Sequence, residues 1–164
     1  GAHAALDAWS AALNAGITEP SAVLVGCFGD PGLLALRESS EVPVSGLAEA
    51  SFAQAAKYGR FAIVTGGERC ARMLRRLSQV LGYSQLLAGI RTVAPTGAEL
   101  FADRQGAIAT LTAACRDAVK LNDIKSIILG GAALAGMAAQ IQPNVDVPVI
   151  DSVLAGAQWA LSLP

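Results

Sequence analysis

The fold is decided by the stretch AVLVGCFGDPG at residues 22–32. Its four leading apolar residues predict a buried strand, and Leu33 to Arg37 continue as a helical pattern. Cys27 therefore stands at the carboxyl end of a strand and at the mouth of a helix. Because N–H groups at a helix end stabilise negative charge, this position favours a reactive thiolate.

Composition limits the classes of protein to which the chain can belong. Of its 164 residues, 53% are hydrophobic and 15% charged, which excludes a disordered chain and allows one domain or two small lobes. A net charge of −1 argues against nucleic-acid binding, and the longest apolar run, residues 126–141, is too short to span a membrane. Three widely spaced cysteines and one histidine, His3, predict a cytoplasmic protein without disulfides or a metal site.

Short β-like runs alternate with longer helical patterns along the chain. We predict strands near residues 22–26, 42–44, 61–64, 86–93, 126–129 and 147–150. We predict helices over residues 2–15, 31–39, 47–58, 68–81, 102–121, 131–140 and 155–161, with a Pro/Gly loop before residue 102. Such alternation is typical of a parallel sheet covered by helices.

The first strand and turn have an internal counterpart. Residues 25–33 align without gaps on residues 129–137, so that Gly26 matches Gly130 and Gly32 matches Gly136. The repeat predicts two similar lobes that face each other across a cleft. In this alignment the counterpart of Cys27 is Gly131.

The other cysteines fall on apolar helix faces. Cys115 shares a face with Ile108, Leu111 and Val119, which predicts a core position. Cys70 lies on a similar face and is also predicted to pack in the core, although its place in the first turn of a helix leaves a reactive role open.

The CFGDPG string resembles the first cysteine motif of hydantoin racemases, in the aspartate/glutamate racemase superfamily. Further segments resemble that family in the same order: residues 46–50, 60–65, 128–132 and 148–151. The resemblance implies an α/β fold of two Rossmann-like lobes whose parallel sheets face across a cleft. Residues 1–58 with 147–164 would form the first lobe and residues 59–146 the second. The family's N-terminal strand has no counterpart here and is expected to be missing.

The same resemblance implies a cofactor-independent racemase of a small carbon acid, such as a 5-substituted hydantoin or an allantoin-like ring. Cys27 would take the proton from the carbon beside a carbonyl. The substrate and its developing enolate would be bound by Phe28, Gly29, Thr65, Gly131 and Ala132. We expect a small-molecule substrate, no nucleic-acid or membrane partner, and a homo-oligomer.

The chain departs from the family where the second cysteine is expected, because Gly131 stands there. Asp30, Asp151, Tyr83 or a water molecule could serve the second face of the substrate. A one-base decarboxylase or isomerase and a non-catalytic binding protein remain alternatives. Asp30 before Pro31 is in addition typical of the N-cap of the helix that follows.

Overall fold

Parallel strands alternate with helices throughout the computed structural model, which describes residues 1–16 and 20–163. Its strands are β1 (Val23–Val25), β2 (Val44–Gly46), β3 (Phe61–Gly66), β4 (Leu87–Val93), β5 (Ser126–Gly130) and β6 (Val149–Asp151). Its α-helices are α1 (Ala2–Asn14), α2 (Leu33–Ser39), α3 (Leu47–Ala56), α4 (Cys70–Val80), α5 (Gly97–Ala102), α6 (Arg104–Val119), α7 (Met137–Ile141) and α8 (Ser152–Leu161). Short 3-10 helices cover Ala132–Leu134 and Gln142–Asn144.

The strands form two sheets in which every pairing is parallel. One sheet has the order β4-β3-β5-β6, and β1 pairs with β2 in the other. The two central strands, β3 and β5, are buried along almost their whole length. The predicted α/β class with parallel sheets is confirmed.

Alternate residues of β3 face two different cores. Phe61 and Ile63 pack with α3 and α4, whereas Ala62 and Val64 pack with α6 and α7. Because successive strand residues point to opposite faces, a strand covered by helices on both faces must be apolar throughout. The four-stranded sheet is therefore a three-layer unit with helices on both faces.

The small sheet has its own packing partners. Val25 and Val44 form a third core with Leu33 and Leu36 of α2. Leu6 and Trp9 of α1 pack against this core. Helix α8 packs against Leu24 of this sheet and Leu47 of α3. A Cβ atom added at Gly156 would lie 3.2 Å from Leu24 and 2.7 Å from Leu47.

The division into two lobes stays a prediction. Helix α8 packs beside α3, whereas β6 is hydrogen-bonded to β5 in the four-stranded sheet. Of the predicted lobes, residues 17–19 and 164 lie outside the described residues.

Two element predictions are wrong. The Pro/Gly loop before residue 102 contains α5, which begins at a capping box between Thr96 and Glu99. The predicted helix at 131–140 is broken at Gly136, whose backbone is left-handed with φ 76°, so that a 3-10 helix and α7 replace it. Within the described residues, no helix combines the length and apolar character needed to cross a membrane.

Candidate functional site

Cys27 lies two residues beyond the end of β1 and is exposed. Its carbonyl oxygen accepts a hydrogen bond of 3.0 Å from the backbone N–H of Asp30, which closes the loop at residues 27–30. Ligands of open parallel sheets bind beyond the carboxyl ends of the strands, and Cys27 occupies that edge. We call residues 26–30 the Cys27 loop.

The Cys27 loop reaches from the small sheet to the large one. Phe28 lies so close to Gly130 that any side chain at Gly130 would overlap its ring. On the other side, a side chain at Gly29 would meet the Sδ and Cε atoms of Met73 at 2.6 Å. The loop is therefore held against the carboxyl end of β5 and against α4.

Thr65 is brought to the same place by strand register. It pairs with Gly130 across β3 and β5, one residue before Gly131. Its side chain is 4% exposed, and its hydroxyl makes only a long contact of 3.4 Å with the carbonyl of Gly66. The hydroxyl thus lies beside Gly130 without a short hydrogen bond to the described residues.

Gly131 has the backbone that only glycine adopts readily. Its φ is 143°, and its N–H donates a hydrogen bond of 3.1 Å to the hydroxyl of Ser152. Asp151, beside Ser152, accepts hydrogen bonds from Val153 and Leu154 and caps α8, as well as one of 2.6 Å from the N–H of Gly136. The turn after β5 is therefore tied to the end of β6, and Ala132 follows as an exposed residue.

The structure gives Asp30 a different partner from the predicted one. Helix α2 begins at Leu33 after Gly32, so Asp30 does not cap it. Instead its carboxylate accepts hydrogen bonds from the N–H groups of Ala48 (2.9 Å) and Glu49 (2.7 Å) at the start of α3. The N-cap prediction is wrong because Asp30 has a left-handed backbone (φ 49°), which turns its side chain toward another helix.

Burial governs the charge of Asp30. The residue is 4% exposed, and desolvation raises its pKa from 3.8 to about 6. The amides of Ala48 and Glu49 partly offset this rise because they stabilise the carboxylate, whereas the negative charge of Glu49 adds to it. Glu49 itself pairs with Arg37 and accepts a hydrogen bond of 2.7 Å from Ser45.

The remaining cysteines differ from Cys27 in exposure. Cys115 is fully buried in the core under α6, as predicted, and desolvation raises its pKa to about 12. Cys70 is half-buried and packs against the core between α3 and α4. Cys27 is the exposed cysteine of the described chain.

Of the residues expected to bind substrate, Phe28 lies against Gly130, and Thr65 pairs with Gly130 just before Gly131 and Ala132. Gly29 lies against Met73 of α4, and the binding role of all five residues stays a prediction. Sequence reasoning missed Ser152 and the contact of Asp30 with α3. Ser152 follows directly on a strand end, which was a usable signal, whereas nothing local indicated where Asp30 points. Among the described residues, no three His, Cys, Asp or Glu side chains are grouped as metal ligands.

Comparisons with known proteins agree with one another. A family profile described as Asp/Glu/Hydantoin racemase matches residues 1–160. A hydantoin racemase from Paenarthrobacter aurescens is 36% identical over 145 residues, which are 88% of this chain and 61% of that protein.

Two solved structures show the same arrangement of elements. Allantoin racemase from Klebsiella pneumoniae superposes with a TM-score of 0.84 at 32% identity, covering 97% of this chain and 64% of that one. Allantoin racemase from Pseudomonas fluorescens gives a TM-score of 0.87 at 27% identity, covering 99% and 69%. The chain spans 61% of the length of the hydantoin racemase that it matches.

Proposed function

Because the chain belongs to the Asp/Glu/hydantoin racemase family, we propose that it racemises a small carbon acid by proton transfer at Cys27. The substrate class is a 5-substituted hydantoin or an allantoin-like ring, since relatives named for both activities match most of this chain. The observation that carries the proposal is an exposed cysteine on the loop that follows β1, beside Phe28, which lies against the end of β5.

The proposed reaction begins with removal of a proton from the ring carbon beside the carbonyl. The Cys27 thiolate takes this proton, and negative charge develops on the carbonyl oxygen as the enolate forms. Hydrogen-bond donors aimed at that oxygen lower the barrier, because they stabilise charge that appears only during the reaction. The hydroxyl of Thr65 and the backbone amides near Phe28 and Gly131 are the proposed donors.

A second proton must reach the opposite face of the enolate for the configuration to invert. Gly131 supplies no side chain there, so a water molecule or a neighbouring polar group has this role in the proposal. The alternative is one-base chemistry, in which Cys27 returns the proton to the face from which it came. Only this missing side chain favours the alternative.

The test is incubation of one enantiomer of a 5-substituted hydantoin, and separately of allantoin, in heavy water. Chiral separation with mass detection reports inversion and deuterium uptake together. We expect Cys27→Ser to lower kcat/KM by about 10²- to 10⁴-fold, which is the usual contribution of an acid/base group. Cys70→Ser is the matched control, because it removes a half-buried thiol and should retain the activity.

The outcomes separate the candidates. Inverted and deuterated product that depends on Cys27 supports racemisation. Deuterated product of retained configuration supports one-base chemistry. If the folded protein gives neither inversion nor deuterium uptake, both reactions are contradicted and a binding role is left. Full activity in Cys27→Ser would remove Cys27 from the mechanism.

A further inference from the structure

The buried carboxylate of Asp30 joins the Cys27 loop to α3, the helix that follows β2. Asp30 lies three residues after Cys27 and donates its backbone N–H to the Cys27 carbonyl. Its left-handed backbone is uncommon for a residue with a side chain and is maintained only where surrounding contacts stabilise it. The contacts of the carboxylate with α3 supply this stabilisation.

Both carboxylate oxygens of Asp30 are used. One accepts from Ala48 at 2.9 Å and the other from Glu49 at 2.7 Å, and these N–H groups lie in the first turn of α3, where they have no partners within the helix. The carboxyl group rests on Gly46, where any side chain would overlap it. The sequence therefore leaves a space at the end of β2 that the Asp30 carboxylate fills.

We infer that Asp30 is a positioning residue, which fixes the Cys27 loop to the start of α3 and so holds the Cys27 thiol at the carboxyl end of β1. This inference rests on the proposed function only in the role that it gives to Cys27. Asp30 acts through the loop and is not assigned any contact with the substrate.

The charge state of Asp30 decides how many of these bonds form. The ionised group accepts from both amides, whereas the protonated group has one oxygen that carries hydrogen and cannot accept equally well. Among the described residues, the charged group that acts on Asp30 is Glu49 of α3, which raises its pKa. Glu49 is paired with Arg37 of α2, and, after burial, its charge also raises the pKa of Tyr83. Burial nevertheless favours the protonated group, since it raises the pKa of Asp30 to about 6, so the contact of the loop with α3 should weaken as the pH rises through that value.

The first variant is Asp30→Asn, which keeps the size of the side chain and replaces one acceptor with a donor. Its kcat/KM at pH 7.5 should fall by at least about tenfold, because a charged hydrogen bond to a backbone amide is lost. The limb of the wild-type pH profile near pH 6 should be absent in this variant. Glu38→Gln is the control, since it removes an exposed carboxylate of α2 and should leave the profile unchanged.

The second variant is Gly46→Ala, which leaves Asp30 in place but fills the space of its carboxyl group. The backbone of Gly46 (φ −131°) is one that alanine adopts without strain, so the variant tests the displacement alone. It should reproduce the loss in kcat/KM. If both variants have wild-type kcat/KM, Asp30 does not position the loop.

A readout independent of catalysis separates this inference from the proposed function. Alkylation by iodoacetamide, followed by peptide mass spectrometry, gives the ratio of the Cys27 rate to the Cys70 rate. We expect this ratio to change near pH 6 in the wild type and to lack that change in Asp30→Asn. If the protein proves inactive, or Cys27→Ser proves fully active, the ratio still decides the role of Asp30. A ratio that is the same in Gly46→Ala as in the wild type at every pH overturns it.

Discussion

Asp30 shows how a single residue can lower stability and still serve a site. Its pKa in the folded protein is about 6 against 3.8 for the free group, so the folded state binds the proton more tightly than the unfolded state does. The free energy of unfolding should therefore fall as the pH rises from 4 to about 6. The shift corresponds to roughly 3 kcal/mol, and most of it should be lost across this window.

The measurement is urea unfolding of the wild type and of Asp30→Asn between pH 4 and pH 7. The free energy of unfolding of the wild type should decline relative to that of the variant, because asparagine has no proton to lose. Glu38→Gln should parallel the wild type. Parallel curves for the wild type and Asp30→Asn would contradict the raised pKa.

At the scale of residues, the sequence predicted the cysteines better than the acids. Cys115 could be assigned to the core because helical periodicity alone places it among apolar residues. Asp30 could not be assigned correctly, because the direction of its side chain depends on a left-handed backbone that contacts with α3 maintain. A local pattern such as Asp-Pro indicates a cap but not which helix receives it.

At the scale of elements, the internal repeat predicted two equivalent turns. Gly32 (φ 82°, ψ 4°) and Gly136 (φ 76°, ψ −3°) each precede a short helix, α2 and α7, with nearly the same backbone angles. The elements that were missed depend on finer signals. Helix α5 is short and begins at a capping box, and Asp103 caps α6 by accepting from the N–H of Gly106, which separates two helices that periodicity alone could not resolve.

The turn after β5 differs from its counterpart in the position equivalent to Cys27. Gly131→Cys would restore a thiol there, but φ 143° is a conformation that side chains rarely adopt, and the new Cβ would lie 3.3 Å from Leu134. We expect this variant to lose about 1–3 kcal/mol of stability from backbone strain. Urea unfolding measures the loss.

Ala132→Cys is the matched control for Gly131→Cys. It adds a thiol at an exposed neighbouring residue, so its stability should stay within about 0.5 kcal/mol of the wild type. A Gly131→Cys protein as stable as this control would show that the turn accepts a side chain. Racemisation gained in that protein would then identify the second face of the substrate.

At the scale of the whole molecule, the site depends on a contact between the two sheets. Phe28 lies in the Cys27 loop, which follows β1 of the small sheet, and its ring covers Gly130 at the end of β5 in the large sheet. No side chain at Gly130 can fit beneath the ring. Gly130→Ala should therefore displace Phe28 and destabilise the protein by about 1–3 kcal/mol, as overpacking does elsewhere. Gly26→Ala is the control, since its Cβ would meet no atom within 4 Å, and it should have little effect on stability.

A double-mutant cycle shows whether that cost comes from the contact between the sheets. In a Phe28→Ala background the space above Gly130 is empty, so Gly130→Ala should cost less than about 0.5 kcal/mol there. The coupling between the two residues, measured by urea unfolding of all four proteins, is the difference between the two costs. An equal cost in both backgrounds would mean that Gly130 is restricted by its own strand. The ring of Phe28 would then not fix the Cys27 loop relative to Thr65 and Gly131.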